Sequence, residues 1–397
     1  MKRKEFVIVN FALVGIVLFF SVLTINLSAN QSLFAVAKEK LSSSHEDKGT
    51  MDGQDKNCSK RKPLTLPQNT NDPQLKKLGE YQQVCASFAT DKMMFFTSFV
   101  ENPTDAQEKA DFVAKKLNTF KQAGVTPIVI AEPYVGDHPM EYKDFLAGKY
   151  DDATDQFFAN LKKAGVTDQM MGTWVPFPES NTPNWANKNT EPRDFALGVN
   201  RYLTKLKKYF PQTKGSVLLN AATFEPNDLA WDNGNYLDLT PYLQDIDKNL
   251  VSSIGIQGFP WVSRADSQRR EIFRASEFLQ PDLLIAAAQE LRTRDIWLNT
   301  GSFASKYTTN SKQTVDISLN ERRAILTGIL EEAKKLQTYQ QNEYRVSINI
   351  FAEDKSKANE ATDWSYFQSD DNKIIFKEFM NKAEELRLPV SLFDQAH

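Results

Sequence analysis

The sequence has few of the residues that build metal clusters, disulfide frameworks and phosphate-binding loops. It contains two cysteines, Cys58 and Cys85, and three histidines, His45, His138 and His397, with spacings that match no zinc finger or ribbon. Glycine is scarce at 16 residues, and neither a GxGxxG pattern nor a GxxxxGK pattern followed by Ser or Thr occurs. We therefore expect no nucleotide or dinucleotide cofactor and no catalytic metal site.

A strong net charge is absent as well. The 48 Lys and Arg and 51 Asp and Glu residues give a net charge of −3, and the basic residues are scattered along the chain. Proteins that bind nucleic acids gather positive charge on one face or along one helix. We therefore expect neither nucleic acid nor another polyanion as a partner.

A long apolar run occurs at the N-terminus. Lys2, Arg3 and Lys4 precede apolar residues from about 6 to 27, which predicts a signal peptide or an uncleaved signal anchor within residues 1–37. Residues 38–62 are rich in Ser, Lys, Glu and Asp and predict a polar linker. Both alternatives place the remaining domain outside the cytoplasm, either secreted or anchored to the membrane. In an exported chain the two cysteines can form one disulfide; two unpaired thiols are the alternative.

Residues 63–397 alternate short apolar runs with longer amphipathic segments. The runs predict seven strands, at residues 93–100, 127–131, 169–177, 216–221, 253–259, 295–298 and 345–351. Helices are predicted between them at residues 104–123, 152–164, 193–209, 267–292 and 319–339. This alternation predicts a (β/α)₈ TIM barrel, with an eighth strand near Val84 to Phe88 or around Leu64. A doubly wound open sheet is the alternative, and it lacks the glycine-rich turn usual in that fold.

In such a barrel the functional residues lie at the C-terminal ends of the strands. The sequence contains no arrangement there for a Ser-His-Asp triad or a Schiff-base lysine. Carboxylates transfer protons, amides bind hydroxyl groups and flat rings stack on sugars, so the residues present predict a carbohydrate site. They are Glu132, Tyr134, Glu179, Asn181, Asn220, Gln257, Phe259, Trp261, Asn299, Glu353 and Asp354.

Glu179 is the strongest catalytic candidate. It follows a predicted strand and lies close to Phe177 and Trp185, whose burial of the carboxyl would raise its pKa as a general acid requires. The alternative is an ordinary solvated loop carboxylate. Trp185, Trp261 and Trp364 are predicted in loops, where they would stack on sugars. Trp174 and Trp297 fall within strands and are predicted to lie in the core.

Four segments resemble glycoside hydrolase family 26, which comprises β-mannanase and lichenase barrels. Residues 127–133 (PIVIAEP) resemble its third-strand segment PIITWEP, and residues 148–151 (GKYD) resemble its GxYD helix start. Residues 175–181 (VPFPESN), followed by Trp185, resemble its fourth-strand RPxHEMNGxW. Residues 251–259 (VSSIGIQGF) resemble its sixth-strand VDxIGxDxY. The likeness extends from about residue 75 to 367.

The resemblance implies that Glu179 is the acid/base glutamate and Asn181 its neighbouring asparagine. The chain also departs from the family pattern: Val175 replaces an arginine, Pro178 a histidine and Phe259 a tyrosine. The nucleophile glutamate expected on the seventh strand aligns with an amide, Asn299. An alternative alignment makes Leu283 to Gln289 the seventh strand and Glu290 the nucleophile, although that segment has helix-forming composition.

Asn299 cannot form the glycosyl ester of a retaining mechanism, and three alternatives remain open. In the first, a second carboxylate completes the pair with Glu179, in which case an inverting pair is attractive. In the second, Asn299 orients a substrate amide, such as that of an N-acetyl sugar. In the third, the barrel is inactive and only binds glycan. The candidates for the second carboxylate are Glu132, Glu225, Glu353 and Asp354.

These observations predict an exported glycoside hydrolase that cleaves a β-mannan-like or β-glucan-like polysaccharide with Glu179 as general acid/base. The main alternative is a catalytically inactive glycan-binding barrel at the cell surface. A scaffold whose barrel contacts protein is a third hypothesis.

Overall fold

The computed structural model describes residues 71–84, 90–136, 138–181, 191–220, 239–260, 262–263, 271–272, 274–301, 306–308, 314–341, 344–351 and 370–393. The predicted signal segment 1–37, the linker 38–62 and both cysteines lie outside these residues. Among the helices described, none combines the length and the apolar composition needed to cross a membrane.

Eight strands form a closed barrel in which every neighbouring pair is parallel. They follow one another around the ring in chain order, and β8 pairs with β1. The predicted (β/α)₈ barrel is therefore confirmed and the open-sheet alternative is wrong. The strands are β1 Lys92–Ser98, β2 Thr126–Glu132, β3 Thr173–Pro176, β4 Lys214–Asn220, β5 Val251–Gln257, β6 Asp295–Thr300, β7 Arg345–Phe351 and β8 Val390–Phe393.

Helices precede β1 and lie between successive strands. Local signals set their ends: the Asn102 side chain accepts from the backbone N–H groups of Thr104 and Asp105, Pro103 occupies the first turn, and Gly124 follows the end with a φ of 71°. The helices are α1 Pro73–Val84, α2 Pro103–Gln122, α3 Tyr142–Leu146, α4 Asp151–Lys163, α5 Asp168–Met171, α6 Pro192–Tyr209, α7 Thr240–Leu243, α8 Ala275–Leu279, α9 Pro281–Glu290, α10 Leu319–Gln337 and α11 Asp370–Glu385.

The eighth strand is at the C-terminus, so its predicted position is wrong. Val84 ends helix α1, while residues 85–89 and Leu64 lie outside the described residues. The four residues of β8 close the ring because Leu392 pairs with Met93 of β1 and Val390 pairs with Ile348 of β7. In chain order Glu179 therefore follows the third strand and not the fourth, and Asn299 lies on the sixth strand and not the seventh.

Two predicted elements are broken by local backbone geometry. The run 169–177 is helix α5 followed by β3, separated at Gly172, where an added Cβ would lie 2.0 Å from the Pro127 carbonyl oxygen. The predicted helix 267–292 is wrong at Glu271–Ile272, which pairs as a short strand with Val262–Ser263, and its remainder contains α8 and α9, which meet at Gln280 with a φ of 47°. Because α9 covers Leu283 to Gln289, the alternative assignment of that segment as a strand is wrong.

The interior of the barrel is filled by apolar side chains around one tryptophan. The Trp297 indole N–H donates to Ser216 Oγ at 2.9 Å, and its ring lies against Gly255, where a Cβ would come within 2.2 Å of it. Trp297 is 5% exposed, and Trp174 is fully buried among the aromatic side chains of α4 and α6, so both predicted core positions are confirmed. The interior cluster is Met94, Ile128, Ile130, Val175, Leu218, Trp297 and Phe351.

A cavity of about 390 Å³ lies at the N-terminal ends of the strands. Its lining includes Lys92, Lys214, Trp297 and Arg345. These residues begin their strands or, in the case of Trp297, occupy the strand interior, so the cavity is at the opposite end of the barrel from Glu179 and the strand-end amides.

Candidate active site

Glu179 lies in a turn directly after β3 that has an unusual backbone. Phe177 and Glu179 both have a φ of 55°, a left-handed conformation that is uncommon for residues other than glycine. Backbone N–H groups hold the turn at both positions: Phe177 donates to the Ala131 carbonyl at 3.1 Å, and Glu179 donates to the Leu218 carbonyl at 2.8 Å. The turn is thus fastened to β2 on one side and β4 on the other.

Side chains hold the same turn from outside the barrel. Ser180 Oγ donates to the Phe177 carbonyl at 2.8 Å, so the Tyr142 hydroxyl, 2.7 Å from Ser180 Oγ, is the donor in that second bond. The Phe177 ring packs 4.7 Å from the rings of both Phe99 and Tyr142. The apolar side chain and the hydroxyl pair stabilise a backbone that would otherwise be strained.

Asn181 ties the turn to the last residue of β4. Its Oδ1 accepts from the Asn220 N–H at 2.8 Å, and its Nδ2 donates to the Asn220 carbonyl at 2.9 Å. Asn181 is 4% exposed. Its carboxamide therefore positions the strand end, although the sequence predicted it to bind substrate.

The Glu179 carboxyl points into the C-terminal end of the barrel. Asn220 Nδ2 donates to Glu179 Oε1 at 2.7 Å, and the Gln257 side chain supplies a second hydrogen bond. Glu132 at the end of β2 shares the inward face with Ile128 and Ile130 because side chains alternate along a strand. The two glutamates are close enough for their charges to interact. The sequence-predicted residues Glu132, Glu179, Asn220 and Gln257 thus meet at one place.

Amide side chains occur at matching positions near the C-terminal ends of four neighbouring strands. Asn220, Gln257, Asn299 and Asn349 are in register on β4, β5, β6 and β7. Asn299 Nδ2 donates to Gln257 Oε1 at 2.6 Å, and Asn299 is fully buried. The residue that the resemblance aligns with the nucleophile therefore supports Gln257 from the neighbouring strand and has no exposed surface.

Burial dominates the electrostatics of both carboxyls. It raises the pKa of Glu179 from 4.5 to about 7; the Glu132 charge adds to this rise, and the hydrogen bonds from Asn220 and Gln257 oppose it. Burial also raises the pKa of Glu132 from 4.5 to about 7. Among the residues described, Glu132 has no hydrogen-bond or ion-pair partner. A pair of close carboxyls with raised pKa values can hold one proton between them near neutral pH.

Other predicted site residues are less central or are not described. Tyr134, in a short hairpin pairing Tyr134–Val135 with His138–Pro139, is half-buried. Phe259 packs edge-on against Phe351, with ring centroids 5.7 Å apart. Glu290 lies on outer helix α9 and forms an ion pair with Lys248 at 3.0 Å. Outside the described residues are Trp185, Glu225, Trp261, Glu353, Asp354 and Trp364.

The contacts of two supports of the site were not predicted from the sequence. Tyr142 belongs to α3 and is 38 residues before Ser180 in the chain, so only the folded barrel brings them together. Asn220 was recognised at a strand end, but nothing in the sequence links it to Glu179. Across the described ranges, no group of three or more His, Cys, Asp or Glu side chains is arranged to hold a metal ion.

No family model and no curated protein matches the chain. Solved structures with a similar fold include a β-glucosidase from Thermotoga maritima in complex with deoxynojirimycin, at 11% identity and a TM-score of 0.48, covering 78% of this chain and 86% of that chain. The same enzyme in complex with castanospermine is 10% identical, with a TM-score of 0.48, and the match covers 80% of this chain and 87% of that chain. A fungal β-1,4-galactanase is 12% identical, with a TM-score of 0.45, and the match covers 75% of this chain and 89% of that chain. These neighbours are a β-glucosidase and a β-1,4-galactanase, and the resemblance to family 26 stays a prediction.

Proposed function

We propose that the protein is a glycoside hydrolase that cleaves a β-linked polysaccharide, such as a β-mannan or β-glucan, with Glu179 and Glu132 as its two carboxyls. One observation carries the proposal: at the C-terminal end of a closed parallel barrel, the buried carboxyl of Glu179 and the half-buried carboxyl of Glu132 both have raised pKa values and are close enough for their charges to interact. Barrel enzymes place their chemistry at this end, and glycoside hydrolysis ordinarily uses a pair of carboxyls.

The two groups suit the two tasks of the reaction. One carboxyl must be protonated to donate to the leaving oxygen, and the other must be ionised to attack the sugar or to activate water. Near neutral pH a coupled pair with pKa values of about 7 supplies one group in each state. Asn299 cannot supply a carboxylate, so Glu132 is the second group in this proposal.

The half-buried side chains around the pair fit a sugar ligand. Asn220 and Gln257 offer amide groups to sugar hydroxyls, and Tyr134 and Phe259 offer aromatic surface. The proposed location, outside the cytoplasm and either secreted or membrane-anchored, rests on the composition of residues 1–37 alone.

Sugar release by two isosteric variants tests the function. The wild type is expected to release reducing ends from at least one member of a panel of β-mannans and β-glucans. Glu179→Gln and Glu132→Gln should each reduce that rate at least about 100-fold, because each removes one essential carboxyl. Glu290→Gln, on the outer helix, is the matched control and should keep the wild-type rate. Full turnover by Glu179→Gln would exclude Glu179 from the mechanism.

A glycan-binding barrel without activity is the second candidate. The observation that favours it is Asn299, a fully buried amide where the resemblance implies a nucleophile. Binding on a polysaccharide array, with no reducing-end release from the bound polymers after prolonged incubation, would establish this candidate in place of the first.

A further inference from the structure

The two carboxyls have unlike surroundings. Glu179 accepts hydrogen bonds from two side-chain amides, those of Asn220 and Gln257. Glu132 is partly buried and, within the described part of the chain, accepts no hydrogen bond and forms no ion pair. Amide donors stabilise an ionised carboxylate, whereas burial without donors stabilises the neutral acid. Glu179 is also the more deeply buried of the two, so its donors offset a larger effect of burial, and the hydrogen-bond geometry is what distinguishes the two groups.

Asn299 determines which end of the Gln257 amide faces Glu179. An amide side chain presents either its NH₂ or its oxygen, depending on which way it is turned. Because Asn299 Nδ2 donates to Gln257 Oε1 at 2.6 Å, the Gln257 oxygen is occupied and its NH₂ is left for Glu179. The buried amide thus acts on Glu179 through Gln257.

Asn220 is held in a similar way from its backbone. The two hydrogen bonds between the Asn181 side chain and the backbone of Asn220 keep the end of β4 beside the turn that carries Glu179. The 2.7 Å bond from Asn220 Nδ2 to Glu179 Oε1 follows from that placement. Two independent supports, one from β4 and one from β6 through β5, therefore direct donors at the same carboxyl.

We propose that Glu132 holds the proton of the pair and donates it to the leaving glycosidic oxygen, that Glu179 is the ionised partner, and that Asn299 is a positioning residue that sets this arrangement through Gln257. This inference rests on the proposed function and reverses the role that the resemblance implies for Glu179. The proton moves from Glu132 to the leaving oxygen, which also takes the electron pair of the broken C1–O bond. The new bond to C1 comes from a Glu179 oxygen, or from a water that gives its proton to Glu179.

Direct titration of the two carboxyls tests the proton's position without any substrate. The full chain is labelled with ¹³C at the glutamate side-chain carboxyl, and the two signals are assigned by their loss in Glu132→Gln and Glu179→Gln. As the pH rises through the coupled transition, Glu179 is expected to ionise before Glu132. Ionisation of Glu132 first would overturn the proposal.

The substitution Asn299→Leu tests the positioning role. Asn299→Leu frees Gln257 to rotate, and the ionisation of Glu179 should shift upward by about one pH unit because one amide donor is lost. Asn349→Leu is the matched control: Asn349 is in register on the next strand and 1% exposed, its Oδ1 accepts from Ser391 Oγ, and within the described part of the chain its Nδ2 has no hydrogen-bond partner. An equal shift in both variants, or in neither, would remove Asn299 from the role.

Leaving-group dependence tests the donor role. An enzyme without its proton donor still cleaves substrates whose leaving group needs no proton. On 2,4-dinitrophenyl and phenyl β-cellobioside and β-mannobioside, Glu132→Gln should lose at least about 100-fold more activity toward the phenyl compounds. Glu179→Gln should lose activity on both leaving groups. The reverse pattern would overturn the proposed roles while leaving the glycosidase function intact.

The titration and the kinetic measurements distinguish a failure of the proposed function from a failure of the proposed donor role. If the wild type hydrolyses none of these glycosides and none of the polysaccharides, the proposed function is wrong and the donor role falls with it. The order of ionisation still decides which carboxyl carries the proton. Ionisation of Glu132 before Glu179 would exclude Glu132 as the proton donor, whether or not the protein hydrolyses a glycoside.

Discussion

Asn220 Nδ2 and Glu179 Oε1 lie 2.7 Å apart, so the residue that ends β4 fixes the carboxyl that follows β3. The two residues are separated by 41 positions in the chain, and the barrel wall makes them neighbours. The bond opposes the effect of burial on the pKa of Glu179. A change at Asn220 should therefore alter Glu179 without touching the carboxyl itself.

Replacement of Asn220 by leucine removes this donor and keeps the side chain about the same size. The pKa of Glu179 is expected to rise further above its wild-type value of about 7, because the hydrogen bond that lowers it is gone. At pH 9 the Glu179 carboxyl is ionised, so the loss of its donor is expected to lower the free energy of unfolding by about 1–3 kcal/mol. Carboxyl ¹³C titration and urea unfolding measure the two effects. An unchanged titration of Glu179 would show that the bond does not form in solution.

Stability should fall as the pH rises toward neutrality. In the folded state burial raises the pKa of Glu179 from 4.5 to about 7, so between these values the folded chain binds more protons than the unfolded chain. The contribution of this group is fully present below about pH 4.5 and is lost by about pH 7, a change of about 3 kcal/mol. Glu179→Gln should flatten that part of the curve. Parallel stability curves for the wild type and the variant, measured by urea unfolding at each pH, would contradict this.

Gly255 should tolerate no side chain. A Cβ there would lie 2.2 Å from the Trp297 ring, inside the packed barrel. Gly255→Ala is therefore expected to lower the free energy of unfolding by about 3 kcal/mol or more. Gly328→Ala is the control, since in helix α10 its Cβ comes no closer than 3.1 Å to Ala275 Cβ and the substitution improves helix propensity. Urea unfolding of both variants measures the contrast, and a loss of less than about 1 kcal/mol at Gly255 would contradict it.

Tyr142 and Ser180 should be coupled energetically. Their hydroxyls are 2.7 Å apart, and both are buried around the turn. Tyr142→Phe and Ser180→Ala should each cost about 1 kcal/mol, and the double variant should cost less than their sum because the shared bond is lost only once. A double-mutant cycle of unfolding free energies measures this. Simple additivity would mean that the bond contributes nothing to the turn.

Much of the barrel was predictable because its signals are local. Apolar runs marked the strands that were confirmed, and amphipathic segments marked the helices between them. The strand predicted at 169–177 is confirmed only at Thr173–Pro176, because Gly172, with a φ of 61°, ends α5 just before β3. The four-residue β8 was missed because so short a run carries little periodicity.

The site was only partly predictable, for a different reason. Barrel topology alone placed Glu132, Glu179, Asn220 and Gln257 at strand ends of the same edge. The specific bonds among their side chains depend on register and on the turn after β3. Asn299 illustrates this: its bond to Gln257 spans 42 positions, and no local pattern distinguishes a support from a ligand-binding amide.

The position of β8 has a consequence for biosynthesis. The strand that joins β7 to β1 is Val390–Phe393, the last of the eight barrel strands in chain order. During translation the ring stays open, with the edges of β1 and β7 unpaired, until β8 has left the ribosome. Unpaired strand edges can pair with other chains. Nascent chains of this protein should therefore depend on chaperones until β8 is released.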